Sequence, residues 1–139
     1  MELSDEAKKE LLSSAKIIAV VGLSPKADKP SNRVAQYMRD HGYRIIPVNP
    51  QYEEILGVQS YKSLSDIPEK VDIVDIFMRA EKVVPVVEEA VKLKPKAIWL
   101  QLDIINDEAK ELAQKNGVGF VQNFCIKLEH ARLFKESEK

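Results

Sequence analysis

The run Ile17-Ile18-Ala19-Val20-Val21-Gly22-Leu23-Ser24-Pro25 is an apolar stretch broken by a glycine, a serine and a proline, and a helical pattern follows it from Asn32 to His41. In this arrangement Gly22 lets backbone come close to a phosphate. Leu23 and Pro25 complete the turn, and Ser24 together with the N–H groups of Ser31, Asn32 and Arg33 can cradle the anion at a helix N-terminus. Lys26, Lys29 and Arg33 add positive charge to the same stretch. The chemistry is that of holding a phosphorylated nucleotide; the competing explanation is an ordinary strand-to-helix turn with solvated lysines. NAD fits poorly. Its fingerprint needs glycines at three spaced positions, and only Gly22 is present. The next strand ends Val48-Asn49-Pro50, where an acidic residue would normally meet the ribose hydroxyls.

Other residues reach the same rim if the strands run parallel, because ligands then bind beyond the strands' carboxyl ends. The second strand delivers Asn49, Pro50, Gln51 and Tyr52, and a later one Phe77, Met78 and Arg79. Phe77 and Met78 can line a slot; Arg79 either guards its mouth or pairs with Glu81 or Asp75. Gln101, Asn123 and Cys125 arrive last. Cys125 is the single cysteine, placed where a helix N-terminus can lower a thiol's pKa. Catalysis would also need a base, and His130 lies five residues on, off the favoured i,i+4 spacing. A structural or redox-sensitive thiol is the better reading. His41 caps a helix end. One cysteine and two distant histidines make no zinc set, and no Walker lysine or nucleophile elbow is present, so no catalytic residue is assigned.

The elements that position these groups alternate. Ser4-Asp5-Glu6 caps a first helix running to about Ala15, and strands are expected at Ile17–Val21, Tyr43–Val48, Asp72–Phe77, Ala97–Leu100 and Val118–Val121, with a short edge strand at Gln59-Ser60-Tyr61. Glu53 to Gly57 reads as one turn of helix, and Ser63 to Pro68 as a loop. Helices are expected at 80–93, from the Asn106-Asp107-Glu108 cap to Asn116-Gly117, and at 127–134. Short links between alternating strands and helices imply parallel pairing and right-handed crossovers, in the order 3-2-1-4-5-6 with the edge strand as third.

At 139 residues with 45% hydrophobic side chains, one domain spanning residues 1–139 with its core in 16–133 is expected. A net charge of -1 gives no general attraction to nucleic acid or membrane, so any anion site must be local. No apolar run approaches the ~20 residues that cross a bilayer. The first six residues are acidic, without a basic start and apolar core, and a lone cysteine suits a reducing compartment. The expectation is a small cytoplasmic α/β protein.

Five segments together resemble a known family: Ala19 to Pro25, Gly42 to Pro50, Val71 to Phe77, Ile98-Trp99-Leu100-Gln101 and Cys125 to His130. They follow one another as in the stand-alone CoA-binding domain proteins, which are similar to the CoA-binding module of the succinyl-CoA synthetase α chain and of ADP-forming acyl-CoA synthetases. The resemblance implies a three-layer, Rossmann-like doubly wound α/β fold that binds coenzyme A or acyl-CoA as a carrier, sensor or partner protein, with a protein partner or a second copy as its associate. It implies that Gly22 to Pro25, Lys29 and the start of the next helix meet the phosphates. Asn49, Pro50 and Tyr52 would lie by the adenosine, and Phe77, Met78 and Arg79 would flank the pantetheine, with Cys125 on the same rim. Asn123 stands where many relatives carry aspartate, and Tyr52 where the synthetase module uses a lysine. The alternative is an NAD(P)- or other nucleotide-binding regulatory or redox domain.

Overall fold

The structure is a computed structural model that describes residues 2–135. Ser4 caps α1 (Asp5–Ser14) by accepting the Ala7 N–H at 3.2 Å. The chain continues through β1 (Ile17–Val21), α2 (Pro30–Asp40), β2 (Arg44–Val48), β3 (Glu54–Ile55), β4 (Val58–Gln59), β5 (Ile73–Ile76), α3 (Val83–Lys92), β6 (Ala97–Leu100), α4 (Asp107–Lys115), β7 (Gly119–Val121) and α5 (Ile126–Leu133). Five strands form a parallel sheet in the order β2-β1-β5-β6-β7. Their residues are almost all buried, as strands covered on both faces must be. One face packs Leu11, Leu12, Val34, Met38 and Ile126 from α1, α2 and α5 around Trp99. The other packs Val83, Val87, Ala109 and Ala113 from α3 and α4 around Phe120.

The edge differs from expectation. Among the described residues no sixth strand joins the sheet; Tyr61 makes a parallel bridge to Val48, donating its N–H to the Pro47 carbonyl at 3.0 Å and accepting the Asn49 N–H at 2.9 Å. Gln59 is instead paired within an antiparallel hairpin, Glu54 opposite Gln59 and Ile55 opposite Val58. The expected helical turn over Glu53 to Gly57 is therefore a hairpin. Leu56 and Gly57 both have positive φ, 55° and 76°, the combination that closes a two-residue turn matched to strand twist. Ser63 to Pro68 holds a short 3-10 turn at Leu64–Asp66, and another at Ala80–Lys82 leads into α3.

β1 and β5 are paired neighbours whose following helices, α2 and α3, pack on opposite faces of the sheet, and Gly22 sits at this switch point. Its N–H donates to the Val48 carbonyl at 2.9 Å, and its φ is +83°. A Cβ there would lie 2.2 Å from the Phe77 carbonyl oxygen. The space a side chain would fill is thus occupied by protein backbone as well as facing the rim. A larger residue would therefore disturb the fold itself as well as the rim.

A buried ion pair and a buried carboxyl interrupt the apolar interior. Lys8 and Glu129, both about 95% buried, pair at 2.8 Å, and Arg132 links Glu129 to Asp5. The Arg132 guanidinium holds the Glu129 carboxyl below its usual range. This network fastens α1 to α5. Asp75 is 1% exposed in the middle of β5, between Val20 and Trp99, and accepts a hydrogen bond from the Gln101 amide. It does not pair with Arg79, which is exposed and outside every ion pair found among the described residues. Burial pushes the Asp75 carboxyl up to about 8, and the Gln101 bond offsets only part of that.

Replacing Gly22 with alanine should lower stability by about 3 kcal/mol, from the left-handed backbone and the overlap with Phe77 together. A fall in the urea midpoint at constant slope checks this, and an unchanged midpoint contradicts it. For Asp75 the unfolded chain releases the proton near 3.8 and the folded one near 8, so folding takes a proton up between those values. Stability should fall as pH rises through that window, by at most about 1.4 kcal/mol per pH unit. Asp75→Asn, shaped like the neutral acid, should flatten the profile and be the more stable form at pH 8. Parallel profiles for wild type and variant in urea titrations at pH 5 and 8 would refute this.

Candidate functional site

The carboxyl ends of β1, β2 and β5 enclose a cavity of about 390 Å³. Val21 and Gly22 form one wall, Val48, Asn49, Pro50 and Gln51 the next, and Met78 and Val86 a third. Lys62, Ser63 and Leu64 close it from the segment after the hairpin. That last wall is held by Glu89 on α3, whose carboxylate accepts the Leu64 N–H and the Ser65 hydroxyl, each at 3.0 Å. Asn49 ties two walls together. Its amide donates to the Leu23 carbonyl at 3.0 Å and its side-chain oxygen accepts the Gln51 N–H at 3.0 Å.

The β1–α2 loop beside the cavity is braced from within. The Ser24 N–H donates to the Ser31 hydroxyl at 3.0 Å, the Asn32 amide donates to the Ser24 carbonyl at 2.8 Å, and the Ser24 hydroxyl accepts the Lys26 N–H at 3.1 Å. Ser31 and Asn32 are buried and Leu23 is a core side chain, so their side chains build the loop and only their backbone remains for a ligand. Proline at the first helical position starts α2 at Pro30, two residues earlier than the pattern predicts. Lys29 is its N-cap but makes no side-chain capping bond. Lys26, Lys29 and Arg33 are exposed and absent from every ion pair found among the described residues. A net positive charge, three cations against Asp28, therefore stands at a helix N-terminus, where the backbone dipole has the same sign.

Of the expected site residues, Gly22, Asn49, Pro50 and Met78 share the cavity. Tyr52 does not line it. It lies in a separate polar groove of about 750 Å³ with Gln51, Glu53, Glu54, Gln59, Ser60 and Lys62. Phe77 and Met78 are on opposite sides of the sheet, Phe77 packing with the α1–α2–α5 layer and Met78 with the α3–α4 layer. Cys125 is half-buried at the N-cap of α5 and packs in the same layer as Phe77. Near it the Asp103 N–H donates to the Asn123 side chain at 2.8 Å, clasping the loops after β6 and β7. Both residues have positive φ.

The sequence pattern passes over Lys62, Ser63, Leu64 and Glu89, because a wall made across 25 residues leaves no local periodicity. The histidines are engaged with α2: His41 Nδ1 lies 2.8 Å from the Tyr37 carbonyl, and His130 Nδ1 lies 2.9 Å from the Tyr37 hydroxyl. His41 ends α2 just before β2 begins, at the amino ends of the strands and away from the cavity at their carboxyl ends. Among the described residues, no group of three or more His, Cys, Asp or Glu is placed to hold a metal, and no helix is long and apolar enough to cross a membrane.

Comparison with known proteins agrees with this geometry. The chain is 42% identical over 123 residues to the YneT protein of Bacillus subtilis, covering 88% of this chain and 91% of that one. It is 33% identical over 127 residues to an ADP-forming acetate–CoA ligase of Archaeoglobus fulgidus, covering 84% of this chain but only 18% of the ligase. A solved structure from Thermus thermophilus superposes with a TM-score of 0.91 at 35% identity, over 95% of this chain and all of that one. Residues 16–131 match the CoA binding domain, and the chain belongs to that family.

Proposed function

We propose that this protein binds coenzyme A or an acyl-CoA, with the adenosine in the 390 Å³ cavity and the diphosphate at the β1–α2 loop. The pantetheine arm then leads past Arg79 towards the ends of β6 and β7, where Cys125 caps α5. The observation that carries this reading is the juxtaposition at Gly22. A mostly apolar cavity, sized for a nucleoside, is lined by Gly22, the first residue of the stretch that leads into the N-terminus of α2 and carries three cations against one acid, Asp28. Membership of the CoA binding domain family supports coenzyme A among nucleotides. The neutral Asn49, already bonded to Leu23 and Gln51, supports coenzyme A over NAD, which needs a ribose-binding acid at this place.

The role proposed is that of a cytoplasmic carrier, sensor or partner protein without its own catalytic machinery. Its support is the placement of the nucleophilic and basic groups. Cys125 takes the N-cap position of α5 with its thiol in no capping bond, and both histidines, the candidate bases, are bonded to Tyr37. The ligase activity of the longer relatives is not transferred, since the chain spans less than a fifth of the ligase it matches.

Titration calorimetry with CoA, acetyl-CoA, NAD and ADP tests the reading. CoA or acetyl-CoA should bind, NAD should not; NAD binding without CoA binding overturns it. Replacing Lys29 and Arg33 together with alanine should weaken CoA binding by about 1.5–3 kcal/mol and flatten its dependence on salt. Unchanged affinity would place both cations in solvent.

A further inference from the structure

Lys62 borders two spaces at once, the apolar cavity beside Gly22 and the polar groove beneath the β3–β4 hairpin. Its backbone is anchored by the preceding residue, since Tyr61 is bonded through both its N–H and its carbonyl to the end of β2. The ammonium is exposed and takes part in no ion pair among the described residues. Glu89, the carboxylate that shares the cavity with it, is already bonded to Leu64 and Ser65. A cation is therefore held at the cavity rim with its nearest acidic neighbour on that side otherwise engaged.

We infer that Lys62 binds the 3′-phosphate of coenzyme A and makes the site selective for the 3′-phosphorylated adenosine. This rests on the coenzyme A reading above. Coenzyme A carries two separate anionic groups, a diphosphate on the 5′ side of the ribose and a monophosphate on its 3′ carbon. The site offers two separate cationic groups as well. Lys26 and Lys29 stand on the β1–α2 loop and Arg33 in the first turn of α2, Lys62 stands on the segment after the hairpin, and the cavity is bordered by Gly22, where that loop begins, and by Lys62 itself. Glu53 and Glu54 line the groove on the hairpin side and repel an anion there. They confine the phosphate to the boundary where Lys62 stands.

The test is calorimetric titration of the full chain with CoA, dephospho-CoA and 3′,5′-ADP. Wild type should bind CoA about five- to tenfold more tightly than dephospho-CoA. Lys62→Ala should lose that preference by weakening CoA and 3′,5′-ADP alone, leaving dephospho-CoA within about twofold, and Lys62→Arg should keep it. Equal binding of CoA and dephospho-CoA by wild type, or an intact preference in Lys62→Ala, overturns this inference and leaves the coenzyme A reading standing. Failure of wild type to bind either compound overturns that reading itself, and this inference with it.

Discussion

Three strand ends meet at one residue without a side chain. Gly22 donates to Val48 at the end of β2 while the Phe77 carbonyl, just past β5, occupies the place of its missing Cβ. Where the connections from neighbouring parallel strands leave to opposite faces, a crevice opens beyond the strands' carboxyl ends. Here the crevice stays narrow because backbone meets backbone across it. Everything nearby is built on that approach. Asn49 can reach the Leu23 carbonyl, Met78 can close a third wall, and the loop braced by Ser24, Ser31 and Asn32 can turn directly into α2. A larger residue at position 22 would separate β1 from β5 before it touched any ligand.

The interior shows a second constraint, because the layers over the sheet are not wholly apolar. Lys8 and Glu129 are buried together, and a buried pair with one partner removed leaves an uncompensated charge costing roughly 3–5 kcal/mol. The pair makes the relative placement of α1 and α5 specific, where apolar contact alone would allow sliding. Lys8 also lies 3.7 Å from the centre of the Phe124 ring, so the fastening extends to the loop that carries Asn123 and Cys125. Asp75 follows another rule. Among the described residues it joins no ion pair, burial pushes its carboxyl up towards the protonated form, and its bond from the Gln101 amide bridges β5 and β6.

How far these features could be read from the chain depends on whether their cause is local. The caps at Ser4 and Asn106, the apolar runs of β1 and β6 and the Gly22 turn are set within a few residues, and the structure has them where the pattern places them. The hairpin was hidden because Leu56 takes a left-handed conformation that bulky residues rarely adopt, while Glu53 to Gly57 has the composition of a helical turn. The division of Phe77 from Met78 was legible in principle, since neighbouring residues on extended chain point to opposite faces. An aspartate inside a doubly covered strand also implies a buried partner, and Gln101 lies on the adjacent strand's end. The wall of Lys62, Ser63 and Leu64 had no such signal. Glu89, far along the chain, holds it in place.

The two kinds of contact around the cavity act at different ranges. Apolar lining from Val21, Val48, Leu64, Met78 and Val86 acts only when a ligand is seated, and it discriminates by shape. The exposed cations act across a Debye length of about 8 Å in physiological salt and discriminate by charge. A nucleotide with one phosphate cluster can satisfy only the β1–α2 loop. On the coenzyme A reading, a ligand phosphorylated on both sides of its ribose engages the loop and the Lys62 rim together, while its adenine excludes water between them. Selectivity then follows from the spacing of two weak charge contacts about one rigid cavity, and it requires no single strong interaction with the ligand.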